Sequence, residues 1–134
     1  MDITKDHKLK VAQIAQKFQL KLLIIFGSFA NGRQRKDSDL DIAVLGSSGV
    51  SFDEQISLTN DLSSVFNKNV DLSVLNRANP LLSFQVSKNP ILLYGSREEF
   101  LKFRLYAFNA YNDYAPYFAM ENNLNKKIIN TYAS

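Results

Sequence analysis

"IIFGSFANGRQRKDSDLDIAVL", residues 24–45, holds two apolar runs separated by a polar loop. The first run stops at Gly27-Ser28. The second, residues 40–45, is entered through Asp39 and carries Asp41 inside it. Residues two apart in a strand project from the same face, so Asp39 and Asp41 point together while Leu40 and Ile42 turn to the core. Two carboxylates this close repel and raise each other's pKa unless a cation lies between them. A later apolar run, "VDLSVL" at 70–75, carries a third carboxylate, Asp71, between Val70 and Leu72. If these two strands are neighbours, three carboxylates converge. Oxygen ligands with no His or Cys beside them favour a hard cation, Mg²⁺ or Mn²⁺.

Gly27-Ser28 supplies the other half. A glycine after a buried strand lets a ligand approach the backbone closely, and the free N–H groups of a following helical turn point at an anion. Ser28 adds a hydroxyl donor. A phosphate cradle and a divalent-cation site on neighbouring strand ends are what nucleoside triphosphate chemistry needs. Taken singly, each part is an ordinary turn or strand-edge feature. The signal is their order: apolar strand, Gly-Ser, ten residues, Asp-x-Asp, apolar strand, then a later Asp within a strand.

Around this stretch the chain alternates helical and extended patterns. Val11, Ile14, Ala15 and Phe18 recur at helical spacing and predict an amphipathic helix over about 6–19. Residues 22–26 and 40–45 read as strands, and Gly46 to Gly49 as a turn. Leu58, Leu62, Val65 and Phe66 predict a second helix over 53–66, and 70–75 a third strand. Pro80 opens a short helix to about Val86, 91–94 is a fourth strand, and a long helix begins near Arg97. Pro116 is expected to end or kink that helix, leaving a polar, frayed tail from Asn122. The fold class is α/β (α+β): a small mixed sheet flanked by helices, with a C-terminal helical segment. The expected organisation is a core over 1–95 and a helical extension over 96–134 within one domain.

Composition limits the classes of function. At 134 residues, with 46% hydrophobic and 22% charged residues, the chain is long enough for a core and is not disordered in character. It has no cysteine, which removes disulfides and thiolate metal sites. The N-terminus lacks an apolar signal region and no run reaches the length of a membrane span, so a cytoplasmic protein is expected. The formal net charge of +3 is uneven. Residues 1–36 hold eight Lys/Arg against two Asp, and the rest hold eight against eleven acidic residues. A basic first part suits a polyanion such as a nucleoside triphosphate, or is simply a solvated helix face.

The arrangement Gly27-Ser28, residues 29–38, then Asp39-Leu40-Asp41 resembles the signature of the polymerase-β-like nucleotidyltransferases, over roughly residues 8–95. Asp71 looks like that family's third acidic residue, and the short chain is similar to the family's minimal members. The resemblance implies a nucleotidyltransferase fold in which Asp39 and Asp41 hold two Mg²⁺ ions. Asp71 completes the metal site and helps activate an acceptor hydroxyl, while Gly27 and Ser28 contact the triphosphate of ATP. Many relatives carry an Arg before the second glycine of the loop, where this chain has Asn31. Any phosphate contact by that residue then comes from elsewhere, from Arg33, Arg35 or Lys36, or is absent, and the other reading of these three is a solvated loop. Minimal members commonly accompany helical HEPN ribonuclease toxins. The resemblance therefore implies an antitoxin that transfers AMP to a tyrosine of a HEPN partner, with no nucleic-acid substrate of its own. A small-molecule nucleotidyltransferase and a non-catalytic antitoxin acting by occlusion are the alternatives.

The segment 100–118 holds eight of the chain's sixteen aromatic residues. Phe100, Phe103, Ala107, Tyr111 and Tyr114 fall on one helical face, and Leu101, Leu105 and Phe108 on another. A helix apolar on two faces is buried more widely than one sheet contact allows, either in its own core or against a partner.

Overall fold

The computed structural model describes residues 2–32 and 39–133, and Arg33, Arg35 and Lys36 lie outside them. The elements run α1 (Lys5–Lys17), β1 (Leu20–Phe26), β2 (Leu40–Gly46), α2 (Phe52–Phe66), β3 (Val70–Val74), α3 (Pro80–Lys88), β4 (Ile91–Tyr94) and α4 (Arg97–Ala133). A short 3-10 turn, Leu75–Arg77, leaves β3.

The helix starts are written in side chains. Thr4 accepts from the His7 N–H at 3.1 Å and donates its own N–H to His7 Nδ1 at 3.2 Å. Ser51 and Glu54 exchange the same pair of bonds at α2, and Asn79 caps α3 just before Pro80. Such reciprocal caps satisfy N–H groups that the first helical turn leaves without partners. His7 is a half-buried cap whose ring also meets Phe66 at 5.1 Å.

The four strands form one mixed sheet in the order β3-β2-β1-β4. β1 pairs antiparallel with β2 and with β4, and β2 pairs parallel with β3. A parallel pair needs a long crossover, and α2 supplies it. Alternation then sorts the strand residues onto two faces. Leu23, Ile25, Leu40, Ile42, Val44, Val70, Leu72 and Val74 pack under α1 and α2 with Val11, Leu58 and Leu62. Leu22, Ile24 and Ala43 pack under α3 and α4 with Val86, Phe103 and Ala107. Each fully buried Leu or Ile contributes roughly 1.5–3 kcal/mol. The side chain of Asn76, in the 3-10 turn, bonds both the N–H (2.8 Å) and the carbonyl (2.9 Å) of Gly46. That double bond ties the end of β3 to the end of β2.

Two expectations at the C-terminus are corrected. α4 passes through Pro116 and continues to Ala133, so the segment after Asn122 is helical rather than frayed. Proline removes the bond to the carbonyl four residues back, but Asn112 is exposed, so water can meet that carbonyl. Good helix formers follow (Ala119, Met120, Glu121, Leu124, Lys126) and carry the helix on. The two apolar faces of α4 also divide. Phe103 and Ala107 are buried, whereas Leu101, Leu105, Phe108 and Tyr114 are each at least half exposed. No helix among the described residues is long and apolar enough to cross a membrane.

Candidate active site

The carboxylates sit at the end of the sheet face that lies under α3 and α4. Leu40 and Ile42 belong to the opposite core, so alternation turns Asp41 to the α3/α4 side. Asp71, between Val70 and Leu72, is turned the same way. Asp41 and Asp71 are direct register partners across the parallel β2–β3 pair. On its other side Asp41 pairs with Phe26, the last residue of β1. The strand order therefore brings Asp71, Asp41 and the Gly27 turn side by side.

Gly27 is fixed by two independent constraints. Its φ of +75° is a conformation that L side chains rarely adopt, and a Cβ there would be driven into the Asp41 carboxylate, whose Cγ stands 3.1 Å from that position. A single helical turn follows, with the Asn31 N–H donating to the Gly27 carbonyl at 3.1 Å and the Gly32 N–H to the Phe29 carbonyl at 3.2 Å. The Ser28 hydroxyl is half-buried and takes no partner among the described residues.

The electrostatics match the crowding. Burial pushes the Asp41 carboxyl up from its ordinary value, and the charges of Asp71 and then Asp39 push it further the same way. Asp39 and Asp71 are exposed, whereas Asp41 is partly covered. Among the described residues no group of three acidic, His or Cys side chains is gathered closely enough to hold an ion by itself. The donor set nevertheless fits a hard divalent cation. It is oxygen-only, its charges repel in the absence of a cation, and Mg²⁺ is ordinarily held by one or two carboxylates plus substrate phosphates rather than by a protein cage.

Beside Asp41 opens a cavity of about 320 Å³, lined by Gly27, Asn31, Asp41, Gln85, Lys88 and Asn89 among others. The last three come from the end of α3, and the sequence pattern did not point to them. The only trace was polar residues continuing past Val86, since α3 runs two residues beyond its expected end to Lys88. Asp39 and Asp71 do not line this cavity. They are exposed to solvent, and β3, which carries Asp71, is an edge strand.

A mixed sheet with a glycine turn at the end of one strand and register-paired carboxylates on the next two defines a nucleotidyltransferase fold. The family model described as "Polymerase beta, Nucleotidyltransferase" matches residues 9–99, and the chain belongs to that family. It is 33% identical over 81 residues to the protein adenylyltransferase MntA of Shewanella oneidensis, a match covering 60% of this chain and 58% of that one. Its fold is similar to a crystal structure of a toxin–antitoxin with AMP-PNP, at a TM-score of 0.77 and 27% identity, covering 87% of this chain and 97% of that one. It also shares the fold of a chain in the structure of the tri-AMPylated Shewanella oneidensis HEPN toxin in complex with MNT antitoxin. There the TM-score is 0.71 at 24% identity, over 88% and 95% of the two chains.

Proposed function

We propose that this chain is an antitoxin that transfers AMP from ATP to a tyrosine hydroxyl of a HEPN ribonuclease toxin and so neutralises it. The observation that carries the proposal is the register pairing of Asp41 with Asp71, with Gly27 held against the Asp41 carboxylate. In this reading Asp39, Asp41 and Asp71 hold Mg²⁺, which when bound neutralises phosphate charge and lowers the pKa of an attacking hydroxyl. Gly27 offers its backbone and Ser28 its hydroxyl to the phosphates, and Arg33 and Arg35 add charge from the loop. The acceptor hydroxyl gives up its proton toward Asp71, and its oxygen bonds to the α-phosphorus. The α–β anhydride bond breaks, and pyrophosphate leaves. ATP as donor fits a reaction in the cytoplasm.

A protein acceptor suits this site better than a small molecule. Asp71 lies open to solvent on an edge strand, where a large surface can approach it. Residues 1–95 then serve as the catalytic core and 96–134 as the partner-binding extension. On the latter, Leu101, Leu105 and Phe108 present an apolar stripe away from the sheet. The adenylyltransferase name of the MntA relative and the AMP-PNP bound in the similar toxin–antitoxin support the donor and the reaction class.

The test is intact-mass measurement of a HEPN partner incubated with this protein, ATP and Mg²⁺. Each transferred AMP should add about 329 Da, the mass left after pyrophosphate departs. Toxin neutralised without any gain in mass would replace the proposal with occlusion. Mass gained by an aminoglycoside or similar hydroxyl compound, and none by the toxin, would replace it with small-molecule transfer.

A further inference from the structure

Among the described residues, the cavity beside Asp41 is lined by one cation, and it comes from the end of α3. Lys88, the last residue of α3, lines the same space as Gly27, Asn31 and Asp41. Among the described residues it is the only Lys or Arg to do so, and it forms no ion pair there. Its ammonium lies 5.1 Å above the centroid of the Phe84 ring. That ring is stacked in turn on Tyr111 of α4, with centroids 3.9 Å apart and planes 11° from parallel. The aromatic pair gives the charged end a fixed platform at the cavity rim, because a cation is held over a ring face by its quadrupole. Val86 and Ser87, the two residues before Lys88, are buried against the sheet, so the helix end itself is anchored. Gln85 and Asn89 flank it with neutral amide groups.

The rest of the described polar lining carries no positive charge to balance a triphosphate. Asp41 is acidic, Asn31 and the two amides are neutral, and Gly27 offers backbone only. Among the described residues, a polyphosphate entering beside the Gly27 turn and Asp41 meets one ammonium, that of Lys88. We infer that Lys88 is a nucleotide-binding residue that neutralises the triphosphate from the α3 side of the cavity, a charge this loop does not provide at Asn31. The inference rests on the nucleotide-transfer reading above and adds to it a residue far from the glycine loop. Lys88 Nζ donates to phosphate oxygens in the ground state and the transition state alike. Its loss should therefore fall mainly on KM for ATP rather than on kcat.

The experiment titrates AMP-PNP with Mg²⁺, and separately adenosine, into wild type, Lys88→Gln and Lys88→Arg. A hydrogen bond to a charged group is worth roughly 1.5–3 kcal/mol, so Lys88→Gln should weaken AMP-PNP binding by about ten- to a hundredfold. Adenosine binding should be unchanged, and Lys88→Arg should recover most of the AMP-PNP affinity. The side chain is exposed, so the melting temperature of Lys88→Gln should match wild type and show that the fold is intact. AMP-PNP affinity within twofold of wild type in Lys88→Gln overturns the inference, as does an equal loss for adenosine. A wild-type protein that binds no AMP-PNP at all overturns the nucleotide reading beneath it, an outcome distinct from either of those.

Discussion

The face of the sheet under α1 and α2 and the face under α3 and α4 are made by the same four strands, yet they are finished differently. The first is apolar along the length of β1, β2 and β3, from Leu40 and Val70 to Val44 and Val74, and two capped helices lie across it. The second holds fewer buried residues, and along β2 its apolar side chains stop at Ala43. One strand position further on stand Asp41 and, in register with it, Asp71. A strand tolerates a carboxylate only where water or a counter-charge reaches it. The two aspartates thus mark where coverage by α3 and α4 ends. The site is the uncovered end of an otherwise ordinary core, and Leu40 and Ile42 on the reverse face hold its carboxylates in place.

That contrast makes opposite demands on neighbouring residues. The largest effect is expected from the double variant Asp39→Ala/Asp41→Ala, which should lower AMP transfer by at least about a thousandfold, the several kcal/mol a metal-held phosphate contributes. Its circular dichroism should match wild type and its melting temperature should be no lower, because neither side chain belongs to a core and their charges repel. Transfer at near wild-type rate by the folded double variant would remove the carboxylates from the chemistry. Ile42→Ala, one residue away but facing the other side, should do the reverse. The side chain is fully buried, so truncation should cost about 2–5 kcal/mol of stability in denaturant titration. The transfer rate per folded molecule should change far less than in the double variant. A stable Ile42→Ala protein with lost activity would mean that the faces are not separable in this way.

The same contrast explains what could be read without a structure. Strand and helix positions followed from apolar spacing, because each face is buried by one layer of helices and the period shows directly. Gly27, Ser28, Asp39 and Asp41 were legible because they are close in sequence and break an apolar pattern. Asp71 needed the order of strands as well. Its pairing with Asp41 depends on the α2 crossover placing β3 beside β2, a tertiary fact the spacing alone leaves open. Lys88 was not legible at all, since it reaches the cavity from a helix end, and a polar residue at a helix end is what any solvated terminus shows. Pro116 does not end α4, for a related reason. Proline's cost is local, and an exposed carbonyl with good helix formers beyond it can absorb that cost.

The smallest effect is one of sign, and it concerns Asp41 alone. Burial, then Asp71, then Asp39 raise its folded pKa above the unfolded value. The folded state therefore holds the proton more tightly than the unfolded chain does. Asp41 thus contributes stability below the unfolded pKa, and that contribution is lost as pH rises through the folded pKa. At neutral pH, without ligand, the ionised side chain opposes folding. Asp41→Asn keeps the size and removes the charge, so it should melt at a higher temperature than wild type at pH 7. The advantage should shrink as pH falls through the carboxylate range. Adding Mg²⁺ and AMP-PNP should reverse the order, because wild type gains the stabilisation of a bound ligand and the variant has lost a metal ligand. Thermal melts across pH, with and without the nucleotide, test both halves. A ligand-free Asp41→Asn protein that melts below wild type at pH 7 would show that Asp41 is a structural anchor, and that the uncovered end of this face is not under electrostatic tension.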